Sequence, residues 1–389
     1  MPTATARGVR ARRTDFPVDA IIGGVDTHKD VHVAAALDGH GRMLGSASFP
    51  TTAAGYRTLA GWLTGFGPLA AVGVEGTGCW GAGLARHLSA AGIDVVEVNR
   101  PNRQRRRRLG KSDAIDAEEA ARSVLSGDAR GVPKSATGTV ECIRLLRIAR
   151  RGAIKARMQA TNTMHSLIDT APEELRAQLR PLSQPMRVQT AARYRPGKPT
   201  EPRAAAKYAL ASIARRLQAL EAEISDLSRQ LDALTAAAAP ALHARFGLGT
   251  DTIGALLVAA GDNPERLRNE QSFAALCGAS PVQASSGRTA RHRLNRGGNR
   301  EANSALWRIV IVRMKYHPDT RAYVKRRTEE GLSKPEIIRC LIGEVLGGDP
   351  ARSRVVSPRS RQGTASLPSR VTASLSVAAL GAPRPCDRR

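Results

Sequence analysis

The feature that most constrains this chain is a run of eight apolar residues: Leu210, Ile213, Leu217, Leu220, Ile224, Leu227, Leu231 and Leu234. The steps between them alternate three and four residues, so all fall on one stripe of an α-helix at the heptad period. A lone helix cannot bury such a seam. It must lie against another helix, either the segment 140–167 of the same chain or its own copy in a second subunit. Pro240 ends the run. Segment 140–167 reads as one long helix, made basic by Arg144, Arg147, Arg150, Arg151, Lys155 and Arg157. Between the two, Pro181, Pro185, Pro196, Pro199 and Pro202 mark an irregular connector over 181–203.

The N-terminal part has a different rhythm. Ala20–Asp26, Val31–Leu37 and Met43–Phe49 read as strands, with Asp38-Gly39-His40-Gly41 as turn chemistry between the second and third. A helix over 53–64, a strand over 69–74, a helix over 81–91, a strand over 94–98 and a helix over 113–125 follow. A three-stranded meander leading into βα alternation predicts a mixed sheet with helices on its faces. Residues 1–18 read as a basic disordered arm, and 243–342 as a helical, Gly-punctuated domain. Residues 343–389 read as a disordered Arg/Ser/Pro tail.

Charge narrows the function. Sixty Lys and Arg against 34 Asp and Glu leave a formal +26 on 389 residues. That excess argues against an ordinary small-metabolite enzyme and for a polyanionic partner, nucleic acid first. Apolar residues make up 42%, enough for a packed core, while aromatics at 3% leave charge rather than base stacking to carry binding. No stretch reaches the roughly 18 apolar residues of a membrane span, and Met1–Phe16 lacks the apolar core of a secretory signal. Cys79, Cys142, Cys277, Cys340 and Cys386 form no CxxC pair, which speaks against a disulfide framework or a zinc knuckle and fits a reducing cytoplasm.

Four carboxylates stand where chemistry concentrates. Asp26 closes the first strand and Glu75 the fourth; Asp113 and Asp116 are three apart on one helix face. With the first and fourth strands adjacent, Asp26 and Glu75 would lie side by side with the helix pair above. Hard oxygen donors gathered in a basic protein are what paired Mg2+ ions need for phosphoryl transfer. Singly, each acid also reads as a turn former or as a helix N-terminal acid favourable to the macrodipole. All four, in this order on these elements, point to metal.

Arg100–Lys111 holds seven positive charges in twelve residues, directly before the acid-bearing helix. Such density repels itself unless an anion sits within it, so Arg103, Arg105, Arg106, Arg107, Arg108 and Lys111 are candidates for a phosphate clamp. Arg147, Arg151 and Lys155 would extend it along the long helix. Gly247 and Gly249 precede another helix and could offer backbone N–H groups to phosphate, in the manner of a helix-hairpin-helix. Ser285 and Ser286 then precede Gly287 in a loop followed by Arg288, Arg291, Arg293 and Arg296. A serine there could be a nucleophile stabilised by cations. From spacing alone, a flexible basic loop with ordinary serines is the stronger reading.

Taken together, six segments resemble the motifs of the DEDD transposases of the insertion sequence 110 group. They are Gly24-Val25-Asp26-Thr27-His28-Lys29, Val74-Glu75-Gly76-Thr77-Gly78, Lys111-Ser112-Asp113-Ala114-Ile115-Asp116-Ala117, Gly278-Ala279-Ser280-Pro281, Ser286-Gly287 and Arg296-Gly297-Gly298-Asn299. The match runs over about residues 20–342. It implies an α/β plus α architecture: a RuvC-like, ribonuclease H-like mixed-sheet domain over 19–135, a coiled-coil helical linker over 136–240, and a small helical C-terminal transposase domain over 243–342. It implies Asp26, Glu75, Asp113 and Asp116 as Mg2+ ligands and Ser286 as the nucleophile that forms a phosphoserine link with DNA, with Ser285 as its rival.

The same resemblance implies an insertion-element transposase that cuts and rejoins DNA, guided by a structured bridge RNA. It implies a homo-oligomer, a dimer or tetramer, whose metal site and serine come from different subunits, working in the bacterial cytoplasm at the nucleoid. Two rival readings remain. One is a Holliday-junction-type metal-dependent nuclease without a covalent intermediate; the other is a decayed copy that binds nucleic acid without cutting it. A sugar-kinase-like ATPase, suggested by the Gly-Val-Asp and Glu-Gly-Thr-Gly segments, lacks its phosphate-loop context. One departure stands out. Near Ile337–Leu341, family members generally end with a further amphipathic helical stretch; this chain turns instead into Gly347-Gly348-Asp349-Pro350 and the tail. That resembles a frameshifted end and puts a closing helix in question.

Overall fold

The computed structural model describes residues 16–98, 112–263, 266–267, 269–280, 282–283, 292–293, 295 and 297–346. These fall into two compact units. One is the chain up to Gly138 together with Ala260–Phe273; the other is Thr139–Ala259 and the chain from Ala274 on.

In the first unit the strands are β1 (Ile21–Thr27), β2 (Val31–Leu37), β3 (Met43–Pro50), β4 (Leu69–Glu75) and β5 (Val95–Val98). Helices α1 (Ala53–Thr64), α2 (Ala82–Ala90) and α3 (Asp113–Leu125) belong with them. The sheet order is β3-β2-β1-β4-β5. The meander β1–β2–β3 is antiparallel, whereas β4 runs parallel to both β1 and β5. Alternation along the strands sorts side chains to two faces. On one face Ile21, Val25, Val72 and Val74 pack with Leu59 and Leu63 of α1 and with Leu84 and Leu88 of α2. On the other, Ile22, Leu37, Ala71 and Val96 pack with Ala120, Ala121 and Val124 of α3.

Two glycines let α3 come down onto the sheet. A Cβ on Gly24 would stand 2.1 Å from the Ala117 carbonyl oxygen, and one on Gly73 would stand 2.7 Å from Val124 Cγ2. No side chain fits at Gly24 without lifting the helix. The alanine face of α3 completes the close approach, and it sets the acidic start of α3 over the end of β1. The helix begins at Ser112, whose hydroxyl accepts the Ile115 N–H at 3.3 Å as an N-cap.

The second unit is built on two long helices, α4 (Thr139–Asp169) and α7 (Pro202–Ala238), with α5 (Glu173–Leu179) and α6 (Gln184–Ala192) between them in sequence. Arg157 pairs with Glu221 at 2.7 Å, and Arg150 donates to Ser228 Oγ at 2.7 Å. One helix descends as the other climbs, so the two are antiparallel. The heptad seam of α7 is covered unevenly. Leu210, Leu217, Ile224 and Leu231 are buried, while Ile213, Leu220, Leu227 and Leu234 are half-buried. Part of the seam's partner is therefore in the same chain: Leu210 and Leu217 cluster with Ala160, Met164 and Ile168 of α4.

The 181–203 stretch, expected as irregular connector, holds α6. Pro185 sits in the first turn of that helix and Pro202 in the first turn of α7. A proline there forfeits only an N–H that has no intrahelical partner, so it opens a helix instead of breaking one. Beyond α7 come α8 (Pro240–His243), α9 (Thr250–Ala260), α10 (Glu270–Leu276), a short ribbon of β6 (Val282–Gln283) with β7 (His292–Arg293), α11 (Arg300–Tyr316), α12 (Pro318–Glu329) and α13 (Lys334–Val345). The closing helix questioned from sequence is present as α13. It buries Ile337, Cys340, Leu341 and Val345, and Glu336 accepts the Ser333 N–H at 2.9 Å in a capping box. No described helix is long and apolar enough to cross a membrane.

Candidate functional site

Strand pairing places the first two acids. Val25 of β1 is in register with Val74 of β4, so Asp26 and Glu75 leave the sheet side by side at the same end. The Thr27 hydroxyl donates to the Glu75 carbonyl at 2.9 Å and ties the two strand ends together. Helix α3, seated on Gly24, brings Asp113 and Asp116 to that end from one face of the sheet.

The side chains that meet are Asp26, Asp113 and His28. His28 Nε2 lies 3.1 Å from Asp26 Oδ2 and 3.4 Å from Asp113 Oδ1. Each of the three residues offers a donor atom within 4.8 Å of the others. The Glu75 and Asp116 carboxylates lie outside this tight cluster. Asp116 is 2% exposed, and its charge is felt at Asp26. Burial pushes the Asp26 carboxyl above its ordinary value; His28 pulls it down, and Asp116 and Asp113 push it up again. Converging carboxylates of this kind favour a cation among them, and their hard oxygen donors fit a divalent metal. Behind the cluster, His32 faces Thr27 across the β1–β2 ladder. It is fully buried and stacks on Tyr56 at 5.7 Å, and burial holds its ring below the ordinary value.

The loop after Glu75 is braced from below. Thr77 Oγ1 donates to Glu97 Oε1 at 2.9 Å, and Arg266 reaches the other Glu97 oxygen at 3.1 Å. Arg266 also donates to the Val132 carbonyl at 2.9 Å, and Asn263 donates to that of Pro133 at 3.0 Å. These contacts hold the segment around 260–273 to the sheet unit.

Of the expected nucleic-acid contacts in the second unit, four line neighbouring cavities. Arg147 and Arg151 line a cavity of about 320 Å³, and Gly247 and Gly249 line a neighbouring one of about 470 Å³. Both cavities share Arg150, Asp251 and Arg308. Several of these groups are already engaged. Arg147 is mostly buried, donates to the Asp251 carbonyl at 2.7 Å and approaches Glu301 at 3.6 Å. Arg151 pairs with Glu301, and the Gly249 N–H is taken by Thr252 Oγ1 at 3.0 Å. Lys155 is exposed on α4. Arg293 lies in β7. Arg103, Arg105, Arg106, Arg107, Arg108, Lys111, Ser285, Ser286, Arg288, Arg291 and Arg296 lie outside the described residues.

Comparison with known families decides the class. Residues 23–171 match the family described as transposase, DEDD type, of IS110 elements, and residues 239–325 match the transposase IS116/IS110/IS902 family. The chain belongs to the IS110 family of transposases. No curated protein matches it. As an IS110-type transposase it is a recombinase acting on DNA, of a DEDD class that uses divalent metal. Its five-stranded mixed sheet is compatible with the ribonuclease H-like fold of such enzymes. Sequence reasoning missed His28 as part of the cluster. The signal was slight: His28 stands two residues past Asp26, in the turn that follows β1.

Proposed function

We propose that this transposase cuts and rejoins DNA at a Mg2+ centre held by Asp26, Glu75, Asp113 and Asp116, with Ser286 as the nucleophile. In this reading residues 19–135 form a RuvC-like catalytic domain, 136–240 a coiled-coil linker and 243–342 the domain that carries the serine. The observation that carries the metal assignment is the meeting of Asp26 and Asp113 from separate elements, with Asp26 pushed up by burial and by its acidic neighbours. Bound there, a divalent cation supplies positive charge against the scissile phosphate.

The residues do the rest. Asp26 and Glu75, fixed at the ends of adjacent strands, give the centre a rigid floor. Asp113 is half-exposed and stands on the solvent side of the cluster, where DNA can approach. The Ser286 oxygen forms a bond to phosphorus as the bond from phosphorus to a sugar oxygen breaks, and the serine proton ends on the departing sugar hydroxyl. The count of phosphoester bonds is unchanged, so the reverse step on a new strand rejoins DNA without an outside energy source. Arg288, Arg291 and Arg293 would neutralise the phosphate, and Arg103, Arg105–Arg108 and Lys111 would clamp the backbone. The half-buried edge of the α7 seam supports assembly with further copies. The +26 charge is compatible with a structured bridge RNA as guide.

The test is covalent trapping. Protein, Mg2+, RNA transcribed from the element's flanks and junction DNA are mixed and denatured. A protein–DNA adduct that Ser286→Ala removes and Asp26→Asn prevents is the expected result. Mg2+-dependent nicking without an adduct would replace this reading with a resolvase-type nuclease, and binding without either would mean a decayed copy.

A further inference from the structure

We infer that His28 is a metal ligand, so that this site is a mixed oxygen–nitrogen centre that prefers Mn2+ over Mg2+. The inference rests on the reading that Asp26 and Asp113 hold a divalent cation, and it adds a donor which that reading does not contain.

One atom makes the case. Nε2 of His28 faces both Asp26, at 3.1 Å, and Asp113, at 3.4 Å. Those acids come from different elements, the end of β1 and the start of α3. Around an octahedral cation with legs of about 2.1 Å, neighbouring ligand atoms stand about 3.0 Å apart. The spacing of Nε2 from both oxygens is close to that figure, and the three donor atoms lie within 4.8 Å of one another; without a cation the 3.1 Å contact is a hydrogen bond to Asp26. A surface ion pair needs only one partner; this imidazole is aimed at the point between two.

Its backbone is fixed for the task. The His28 N–H donates to the Val31 carbonyl at 3.2 Å, closing the turn between β1 and β2. Thr51 pins the same turn twice, through its hydroxyl to the Lys29 carbonyl at 2.8 Å and its N–H to the Asp30 carbonyl at 3.1 Å. The ring itself is 46% exposed, so a hydrated ion can reach it. Mg2+ is hard and favours an all-oxygen shell, whereas first-row transition ions accept imidazole nitrogen more readily, Mn2+ the least of them but still better than Mg2+. A nitrogen corner therefore tilts the site toward Mn2+ and Co2+.

Mn2+ bound to the full chain gives the test without turnover. Pulsed electron paramagnetic resonance of the Mn2+-loaded wild type is expected to show 14N coupling from one directly bound imidazole, lost in His28→Ala. By titration, His28→Ala is expected to weaken Mn2+ about tenfold and Mg2+ by less than about threefold. His28→Gln, which keeps a polar side chain of similar reach, guards against a folding artefact and should lose the coupling too. Mn2+ that binds without 14N coupling overturns the inference and leaves the carboxylate reading intact. So does a variant that binds both metals more tightly, since the ring would then merely occupy the ion's place. No Mn2+ binding at all, or undiminished binding by Asp26→Asn, overturns the carboxylate reading and this inference with it.

Discussion

At the end of β1, Asp26 and Asp113 converge on a single imidazole, and Asp26 is pushed up by burial and by its acidic neighbours. In the helical unit, Arg147, Arg150 and Arg151 form four ion pairs with Asp251 and Glu301 at 2.5–3.6 Å. The first cluster sets two carboxylates on one imidazole; in the second, each of the three arginines has an acid within 3.6 Å. A fold gains nothing by keeping like charges together, so the first arrangement makes sense as a place for a cation. The second makes sense as structure: the arginines staple α4 to the start of α9 and α11. Charge density alone would have ranked the arginine cluster as the stronger ligand site. Opposite-charge pairing, not density, separates the two.

The largest expected effect breaks the first cluster. Asp26→Asn should lower strand exchange about a thousandfold, measured by recombination of junction DNA. The same change should stabilise the metal-free protein. Because the folded Asp26 carboxyl titrates above its ordinary 3.8, the folded state holds its proton more tightly than the unfolded chain. That contribution is full below 3.8 and fades as pH rises through the raised value; Asn mimics the protonated form and should flatten this slope in thermal melts. Next comes Gly24→Ala. Its new methyl would meet the Ala117 carbonyl at 2.1 Å, so α3 must rise or the strand must sink. A loss of about 3 kcal/mol is expected in urea unfolding, together with loss of Mn2+ binding as Asp113 leaves Asp26. Arg147→Ala tests the second cluster. It should cost about 2 kcal/mol by stranding the Asp251 carbonyl and unbalancing Glu301, with metal affinity untouched.

The sheet unit was legible because its signals are local. Thr52 and Ser112 are N-caps whose hydroxyls accept from Gly55 and Ile115, and each sits directly before an apolar pattern of helical period. The Asp26–Glu75 pair was legible only on the condition that the first and fourth strands are neighbours, and the sheet order meets that condition. The helical unit hid more. Pro185 reads as a breaker until its place in a first turn is known. Arg147 reads as part of a solvated basic face, yet its partner Asp251 is 104 residues away in sequence and no local pattern announces it. His28 was visible beside Asp26 but looked like one polar residue in a turn. Only the arrival of Asp113 from α3 gives it a second partner.

The smallest expected effect sharpens the comparison at the start of α9. Gly249 was singled out because glycine at a helix start offers its N–H to phosphate. Here the Thr252 hydroxyl accepts that N–H at 3.0 Å and donates to the Gly249 carbonyl at 2.8 Å, so the turn is closed on itself. Thr252→Val keeps the shape and removes both bonds. The expected cost is about 1 kcal/mol in unfolding free energy, with DNA affinity changed by no more than about threefold in a filter-binding titration at fixed salt. A larger gain in affinity would mean that the hydroxyl and a phosphate compete for one N–H, and the turn would then belong with the β1 end as a place kept ready for a ligand. A change in stability alone would leave it with the arginine cluster, where polar groups answer one another.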